Sequence, residues 1–300
     1  MNLFKESENI IVFNVEKESL NLEKFLFEQD LSRRLFTKLY RNKHIYVNGK
    51  FQRKDLPLHV GDIVSIYMED EEQNIEPENI ALDIIYEDFD LLVLNKKPNM
   101  VVHLTKSHQK NTLSNGIAKY FMDKGIKKKI RFVNRLDMDT TGVLVVAKNP
   151  FAHQQLALQF EENTVEKKYK AIVSGVVEKD MDYIDVPIGR EEEKSIRKVA
   201  TENGQEALTK YSVIERYKDA TLLDVQIFTG RSHQIRVHLY HIGHPIIGDS
   251  LYNEKSPYIN RQALHSYYLK VKHPRTKKSI EFIAPLPSDM EELINHLKGK

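Results

Sequence analysis

The sequence contains no cysteine, and this absence excludes both a disulfide framework and a thiolate metal site. No run approaches the roughly 18 consecutive apolar residues of a membrane span. The first residues lack the basic and apolar regions of a secretory signal. The loop G-x-x-x-x-G-K-[ST], which binds nucleotide phosphates, does not occur either. We therefore expect a cytoplasmic protein without a membrane partner.

Charge is almost balanced, at a formal net value of +2, but it is unevenly distributed. Residues 31–54 contain eight Lys or Arg and no acid, whereas residues 69–79 contain six acids and no base. Such segregation is typical of a module that faces a polyanion, followed by a solvated linker.

The first 70 residues predict a small, self-contained module. Leu20, Leu22, Phe25 and Leu26 fit one helical face. In a second helix over residues 31–40, Leu35 and Leu39 face a core and Ser32 is the N-cap. Residues 45–50 read as a strand entering an Asn-Gly hairpin, and residues 60–67 as a turn and strand. The candidate polyanion contacts on this module are Arg33, Arg34, Lys38, Arg41 and Lys43.

This pattern resembles, over residues 15–70, the small RNA-binding domain named for ribosomal protein S-four. A basic helix face is often merely solvated, but the unbroken basic run beside V-N-G-K and G-D-x-V favours RNA binding. We therefore predict an S-four-like domain at 1–70, an acidic linker at 71–80 and a catalytic domain at 81–300.

Beyond the linker the apolar runs predict an α+β fold. Several strands follow each other without an intervening helix, as at 207–213 and 221–228. Direct links of this kind indicate a mixed, largely antiparallel sheet with flanking helices, in addition to the small N-terminal α+β domain.

The first chemically dense segment is residues 134–142, where Arg135, Asp137 and Asp139 precede an apolar strand. Residues at the end of such a turn often project into a cleft. Asp139 is better explained as a turn-closing residue, whereas Asp137 is a candidate catalytic carboxylate.

The second dense segment is residues 229–245. Ser232 is expected to cap a helix with the apolar stripe Ile235, Leu239 and Ile242, ended by Gly243. On that helix His233, Arg236 and Tyr240 share a polar face.

The histidines of this segment also raise a metal-dependent hydrolase as an alternative. His238, His241 and His244 are spaced three and three, unlike the i, i+4 pair of a zinc helix. We therefore expect no metal. A third segment, residues 166–175, reads as a strand in which Tyr169 is either core or part of a site.

Together these segments resemble the RluA-type family of RNA pseudouridine synthases over residues 84–287. The shared motifs are R-L-D-x-x-T-T-G at 135–142, K-x-Y-x-A at 167–171, and T-G-R-S-H-Q-I-R-V-H-L at 229–239 continued by G-H-P-I-I-G-D. The resemblance implies isomerisation of uridine to pseudouridine without a cofactor. It also implies that Asp137, Tyr169 and Arg236 are catalytic. Arg135, Arg231 and His233 are expected to contact RNA or to support the site.

Two positions depart from the family pattern. Its His before R-L-D is Asn134 here, and the Gly of its K-P-x-G loop is Met100. Asn can still donate and accept hydrogen bonds, whereas Met100 lacks the positive-φ freedom of Gly, which predicts a different path for that loop.

The leading hypothesis is a monomeric pseudouridine synthase acting on large-subunit ribosomal RNA. Transfer RNA is an alternative substrate, and a catalytically silent RNA-binding or ribosome-assembly protein is an alternative function.

Overall fold

The computed structural model describes residues 2–106, 108–192 and 195–299. Its N-terminal part is a four-stranded antiparallel sheet, in the order β1-β4-β2-β3, with two helices packed on it. Its elements are β1 (Ile10–Asn14), α1 (Leu22–Glu28), α2 (Arg33–Arg41), β2 (Ile45–Val47), β3 (Lys50–Phe51) and β4 (Ile63–Tyr67).

Local signals in this part lead to the predicted elements. The Ser32 hydroxyl accepts a hydrogen bond from the Leu35 amide at 3.2 Å and caps α2. Leu35 and Leu39 are buried, and the β2–β3 turn places Asn48 and Gly49 at φ of 50° and 78°, as a hairpin turn of this kind requires. The assignment of Leu20 to the α1 face is wrong, because it precedes the helix and is 73% exposed.

Residues 84–299 form the larger part. Its elements are β5 (Ile84–Glu87), β6 (Leu91–Lys96), α3 (Leu113–Lys124), β7 (Arg131–Phe132), β8 (Thr141–Ala147), α4 (Pro150–Glu161), β9 (Glu166–Ser174), β10 (Met181–Asp185), β11 (Ile188–Arg190), β12 (Lys198–Ala200), β13 (Leu208–Arg216), β14 (Ala220–Ile227), α5 (Gln234–His241), β15 (Leu264–Lys272), β16 (Ser279–Ile283) and α6 (Ser288–Lys298).

One large sheet organises this part, in the order β10-β13-β14-β9-β15-β8-β6-β5, with β16 beside β15 and β7 beside β8. Its pairings are antiparallel except for the parallel pair β15–β8. The predicted α+β class with a mixed, largely antiparallel sheet is confirmed. None of the helices in the described ranges is long and apolar enough to cross a membrane.

The two parts are packed against each other. Phe151 of α4 is fully buried in the N-terminal core and meets Phe13 edge-to-face at 6.0 Å. Arg275 donates to the Ser7 and Ile10 carbonyls while it forks onto Asp90. An apolar side chain and a buried cation thus fix the N-terminal part on the rest.

Residues 71–80 connect the two parts without a helix or strand. The expectation that this acidic coil is simply solvated is wrong in one respect. Both carboxylate oxygens of Glu71 accept a hydrogen bond from the Arg131 guanidinium, at 2.6 and 2.7 Å. The side-chain amide of Asn115 donates to the Glu76 carbonyl. The coil is therefore attached to the larger part at Glu71 and at Glu76.

Candidate active site

A cavity of about 500 Å³ opens where the turn before β8, strand β9 and the start of α5 meet. The segment that enters α5 forms one wall, and residues 132–137 form another. Asp137, Tyr169 and Arg236, which the sequence placed in three separate motifs, all line it. The structure therefore brings the three predicted catalytic residues together.

Asp137 is held at the junction of β8 and β15. Its carbonyl accepts from the Thr140 amide at 3.1 Å and closes the turn. Gly142 then enters β8 at φ 112°, where any Cβ would overlap the backbone carbonyl of Ser266 in β15. The close approach that only Gly allows here fixes the turn against the neighbouring strand. The Asp137 side chain keeps one third of its surface exposed to the cavity.

Arg236 is the counter-ion of two carboxylates. From α5 its Nη1 donates to Asp137 Oδ2 at 2.9 Å, and Nε and Nη2 fork onto Asp249 at 2.7 and 2.8 Å. Burial opposes its charge, but the hydrogen bonds and negative charge of Asp249, and then of Asp137, raise the pKa of Arg236. The guanidinium is therefore permanently charged and fixed in orientation.

Tyr169 lies in the row Gly142–Ser266–Tyr169 across strands β8, β15 and β9. It is only 8% exposed, yet it lines the cavity. Burial raises the pKa of its hydroxyl to about 12, opposed by a hydrogen bond with Ser266 and reinforced by the charge of Asp137. At neutral pH the phenol therefore remains protonated and can donate a proton or a hydrogen bond.

The start of α5 differs from the prediction. Ser232 does not cap the helix; the N-cap is His233, at φ 57° and without a capping side chain. Gln234 takes over the local contacts, because its side-chain oxygen accepts from Thr229 Oγ1 at 2.7 Å and from the Arg231 amide at 3.0 Å. This turn directs residues 230–236 along the cavity wall.

His233 lies inside the site. Its Nδ1 is 3.0 Å from the Tyr252 hydroxyl, and its Nε2 is 3.9 Å from Asp137 Oδ2. Burial lowers the pKa of His233 while the charge of Asp137 opposes that shift. A neutral imidazole between Tyr252 and Asp137 fits a role in positioning groups in the site as well as a direct contact with RNA.

The other predicted RNA contacts fall into two sets. Arg135 and Arg231 are exposed and line the cavity, and Arg231 Nε donates to the Glu206 carbonyl at 2.9 Å. The second set lies on or just after α2, where every member is exposed and none lines the cavity: Arg33, Arg34, Lys38, Arg41 and Lys43.

Asn134 shows how the site accommodates the first departure from the family motif. Its side-chain amide donates to the Val143 carbonyl at 3.1 Å, and its oxygen accepts from the Val145 amide at 2.8 Å. The donor and the acceptor of the Asn134 side chain therefore both hold the turn before Asp137 onto β8.

The second departure from the family motif is Met100, which has no positive φ in the structure. In the loop of residues 97–100 the positive φ belongs to Asn99, at 53°, and not to Met100. Asn tolerates this conformation better than other non-glycine residues. The buried Lys96 then donates to the carbonyls of Lys97, Met100 and Met138, so this loop is tied to the residue that follows Asp137.

Two functional candidates were not singled out from the sequence. Asp249 follows Gly248 in the G-D pair and holds Arg236. Lys167 precedes Tyr169 by two residues and also lines the cavity. Asp249 could have been found because it ends the G-H-P-I-I-G-D continuation of the arginine motif. Lys167 could have been found because residues two apart on a strand, here Lys167 and Tyr169, share a face.

The metal alternative finds no support in the geometry. His238 uses both ring nitrogens, one with Thr209 Oγ1 and one with the Val186 carbonyl, each at 2.9 Å. Across residues 2–106, 108–192 and 195–299 no three His, Asp or Glu side chains are grouped so that they could hold a metal ion.

Comparisons with known proteins show the family to which the chain belongs. A family model described as RNA pseudouridylate synthase matches residues 90–241. The chain is 41% identical over 295 residues to "Uncharacterized RNA pseudouridine synthase YlyB" of Bacillus subtilis (strain 168), covering 96% of this chain and 97% of that protein. It is 34% identical over 272 residues to "Ribosomal large subunit pseudouridine synthase D" of Buchnera aphidicola subsp. Schizaphis graminum (strain Sg), covering 85% and 86%.

A solved structure, "Human RNA Pseudouridylate Synthase Domain Containing 4", aligns with a TM-score of 0.61 at 26% identity, covering 72% of this chain and 93% of that one. The model match spans just over half of the chain, and the Bacillus relative spans nearly all of it. The chain therefore belongs to the RNA pseudouridylate synthase family and is a pseudouridine synthase.

Proposed function

We propose that Asp137 carries out the isomerisation, and that the substrate is a uridine of large-subunit ribosomal RNA. The observation that supports the site most directly is the 2.9 Å hydrogen bond between Asp137 and the buried Arg236 in the cavity lined by Tyr169. Support for the substrate comes from the Buchnera relative, whose name assigns it to the large ribosomal subunit.

The chemistry requires a uridine outside its stack. Flipping the nucleotide costs a few kcal/mol, and cationic side chains that hold the neighbouring phosphates offset that cost. The bond from ribose C1′ to N1 then breaks, the base rotates, and C5 bonds to C1′. C5 loses its proton and N1 gains one, so the reaction is an isomerisation without a redox change.

Each catalytic residue has a role that its surroundings allow. Arg236 occupies one oxygen of Asp137, and the other oxygen is then available to assist loss of the base. Tyr169 offers a ring face for the flipped uracil and, with its pKa raised to about 12, a hydroxyl that donates. Arg135 and Arg231 at the cavity surface are placed to contact phosphates.

The N-terminal part supplies a second RNA-binding surface in this proposal. The exposed cations of α2 form an acid-free face, consistent with an S-four-like domain over residues 1–70, a linker over 71–80 and a catalytic domain over 81–300. We further propose that the protein acts as a monomer in the cytoplasm.

Mapping pseudouridines in a strain that lacks the gene tests this proposal. Ribosomal and transfer RNA are treated with carbodiimide and sequenced, with complementation by wild type and by Asp137→Ala. We expect one or more large-subunit sites to disappear and to return only with wild type. Loss of sites confined to transfer RNA would overturn the substrate assignment, and restoration by Asp137→Ala would overturn the role of Asp137.

A further inference from the structure

Lys167 is a buried cation on the wall of the catalytic cavity. It is 7% exposed and lies two residues from Tyr169 on β9. Since side chains at i and i+2 of a strand share a face, both project to the same side, and both line the cavity.

Its surroundings differ from those of the other buried lysines. Lys96 donates to three carbonyls, Lys128 to Asn9 and the Glu69 carbonyl, and Lys148 to two glutamates and the Asp88 carbonyl. Within the described ranges the ammonium of Lys167 has no carboxylate or carbonyl partner and only lies 5.6 Å from the centre of the Phe160 ring.

An unpaired buried charge is costly, and the titration of Lys167 reflects this. Burial lowers its pKa from 10.5 to about 8, without any compensating acid. Folding would be easier with an apolar residue at this position. Because Lys167 has no internal partner, its charge can be stabilised by an anion that is present beside Tyr169 only when substrate is bound.

We propose that the ammonium of Lys167 contacts the target uracil and stabilises the negative charge that the base acquires as its bond to ribose breaks. This inference rests on the proposed function. When the N1–C1′ bond breaks, its electron pair goes to the base and spreads over N1, O2 and O4. The same pair is used when C5 bonds to C1′, so the charge exists only between the two steps.

The base is a better match for Lys167 than a phosphate. Arg135 and Arg231 are exposed around the same cavity and can hold the backbone in water. The Lys167 side chain is buried, its ammonium lies over the Phe160 ring, and Tyr169 lines the same cavity, so a planar base fits there better than a solvated phosphate. Once a bound base covers it and excludes water, an ammonium acts more strongly on developing charge than it would in water.

The test compares Lys167→Met, Lys167→Arg and the control Lys168→Met. Lys168 lies on the opposite face of β9, paired with Glu166 at 2.8 Å. The substrate is an unmodified large-subunit ribosomal RNA transcript made with uridine or with 5-fluorouridine. Fluorine withdraws electrons and stabilises the base anion, so a fluorinated base needs less help from a cation. Consumption of the target nucleotide and RNA affinity are measured separately under single-turnover conditions.

We expect Lys167→Met to slow consumption of uridine by at least about tenfold while RNA affinity changes by less than about twofold. The loss should be several-fold smaller with 5-fluorouridine, Lys167→Arg should retain an intermediate rate, and Lys168→Met should match wild type. Lys167→Met should melt no lower than wild type, because no ion pair is lost.

Three results would overturn the inference. They are a wild-type rate for Lys167→Met, an equal loss on both transcripts, and a loss that lies wholly in RNA affinity, which would assign Lys167 to a phosphate. Asp137→Ala is assayed in parallel. If wild type is active and Asp137→Ala is not, the proposed function stands whatever the result at Lys167.

Discussion

The α5 side and the β9 side of the cavity each present a buried cation, and the two cations differ in whether they have carboxylate partners. Arg236 on α5 makes three hydrogen bonds to two carboxylates. Lys167 on β9 has no anion among the residues that the structure describes. A paired cation organises the site before substrate arrives, whereas an unpaired one is available to the substrate. Burial alone therefore does not distinguish a cation that has carboxylate partners from one that has none.

The largest effect should follow from Arg236→Met, which removes the paired cation. It leaves Asp249, only 1% exposed, without its counter-ion, and breaking a buried pair in this way costs about 3–5 kcal/mol. Denaturant unfolding should show that loss of stability, and pseudouridine formation should fall by at least about 100-fold. Arg236→Lys is the charge-retaining control. Wild-type stability in Arg236→Met would show that the two sides of the cavity do not differ as described.

Asp249→Asn should have a smaller effect, because Asp137 still pairs with Arg236. The variant loses the charged half of the fork that orients the guanidinium, and we expect about a tenfold lower single-turnover rate with unchanged RNA affinity. Asp249→Glu, which restores the carboxylate, should recover part of the rate. Full activity in Asp249→Asn would mean that Arg236 is oriented by α5 alone.

The smallest effect is a pH dependence that separates the two cations. Burial lowers the pKa of Lys167 to about 8, so its positive charge is present below that pH and is lost as pH rises through it. The single-turnover rate of wild type should therefore fall above pH 8. Stability should move the other way and rise between pH 8 and 10.5, because the unfolded chain there binds a proton that the folded chain does not.

Lys167→Arg is the matched control for this pH effect, because its guanidinium stays charged. Lys96, whose pKa burial also lowers, is present in both proteins and therefore cannot cause a difference between them. A decline above pH 8 of the same size in Lys167→Arg would assign the titration to another group in or beside the cavity. The titratable and charged groups in or beside the cavity are Lys96, His103, Asp137, Tyr169, His233, Arg135, Arg231 and Arg236.

The sequence was most informative where local chemistry decides the structure. Ser32 before an apolar pattern and Asn48-Gly49 between two short strands each have one favoured conformation, and both formed as expected. The apolar runs of the large sheet carry a period-2 signal, and their lack of intervening helices predicted the antiparallel class. The three family motifs predicted Asp137, Tyr169 and Arg236 as one site, and the cavity brings them together.

Contacts between distant segments could not be read in the same way. Nothing in the local sequence of α4 indicates that Phe151 completes the N-terminal core, or that Asp249 rather than Asp137 takes two of the three Arg236 hydrogen bonds. At α5 the expected Ser232 cap was replaced because the Gln234 side chain reaches back to Thr229 and Arg231. Met100 was expected to avoid a positive φ, but nothing in the sequence indicated that its neighbour Asn99 would adopt one.

The most direct test of the central claim is the chemistry of Asp137 in the purified protein. An unmodified large-subunit ribosomal RNA transcript is incubated with wild type or Asp137→Asn, digested to nucleosides and analysed by mass spectrometry after chemical labelling of pseudouridine. We predict stoichiometric pseudouridine with wild type and none with Asp137→Asn, with equal RNA affinity and an unchanged fold by circular dichroism. Pseudouridine at the wild-type rate from Asp137→Asn would contradict the account.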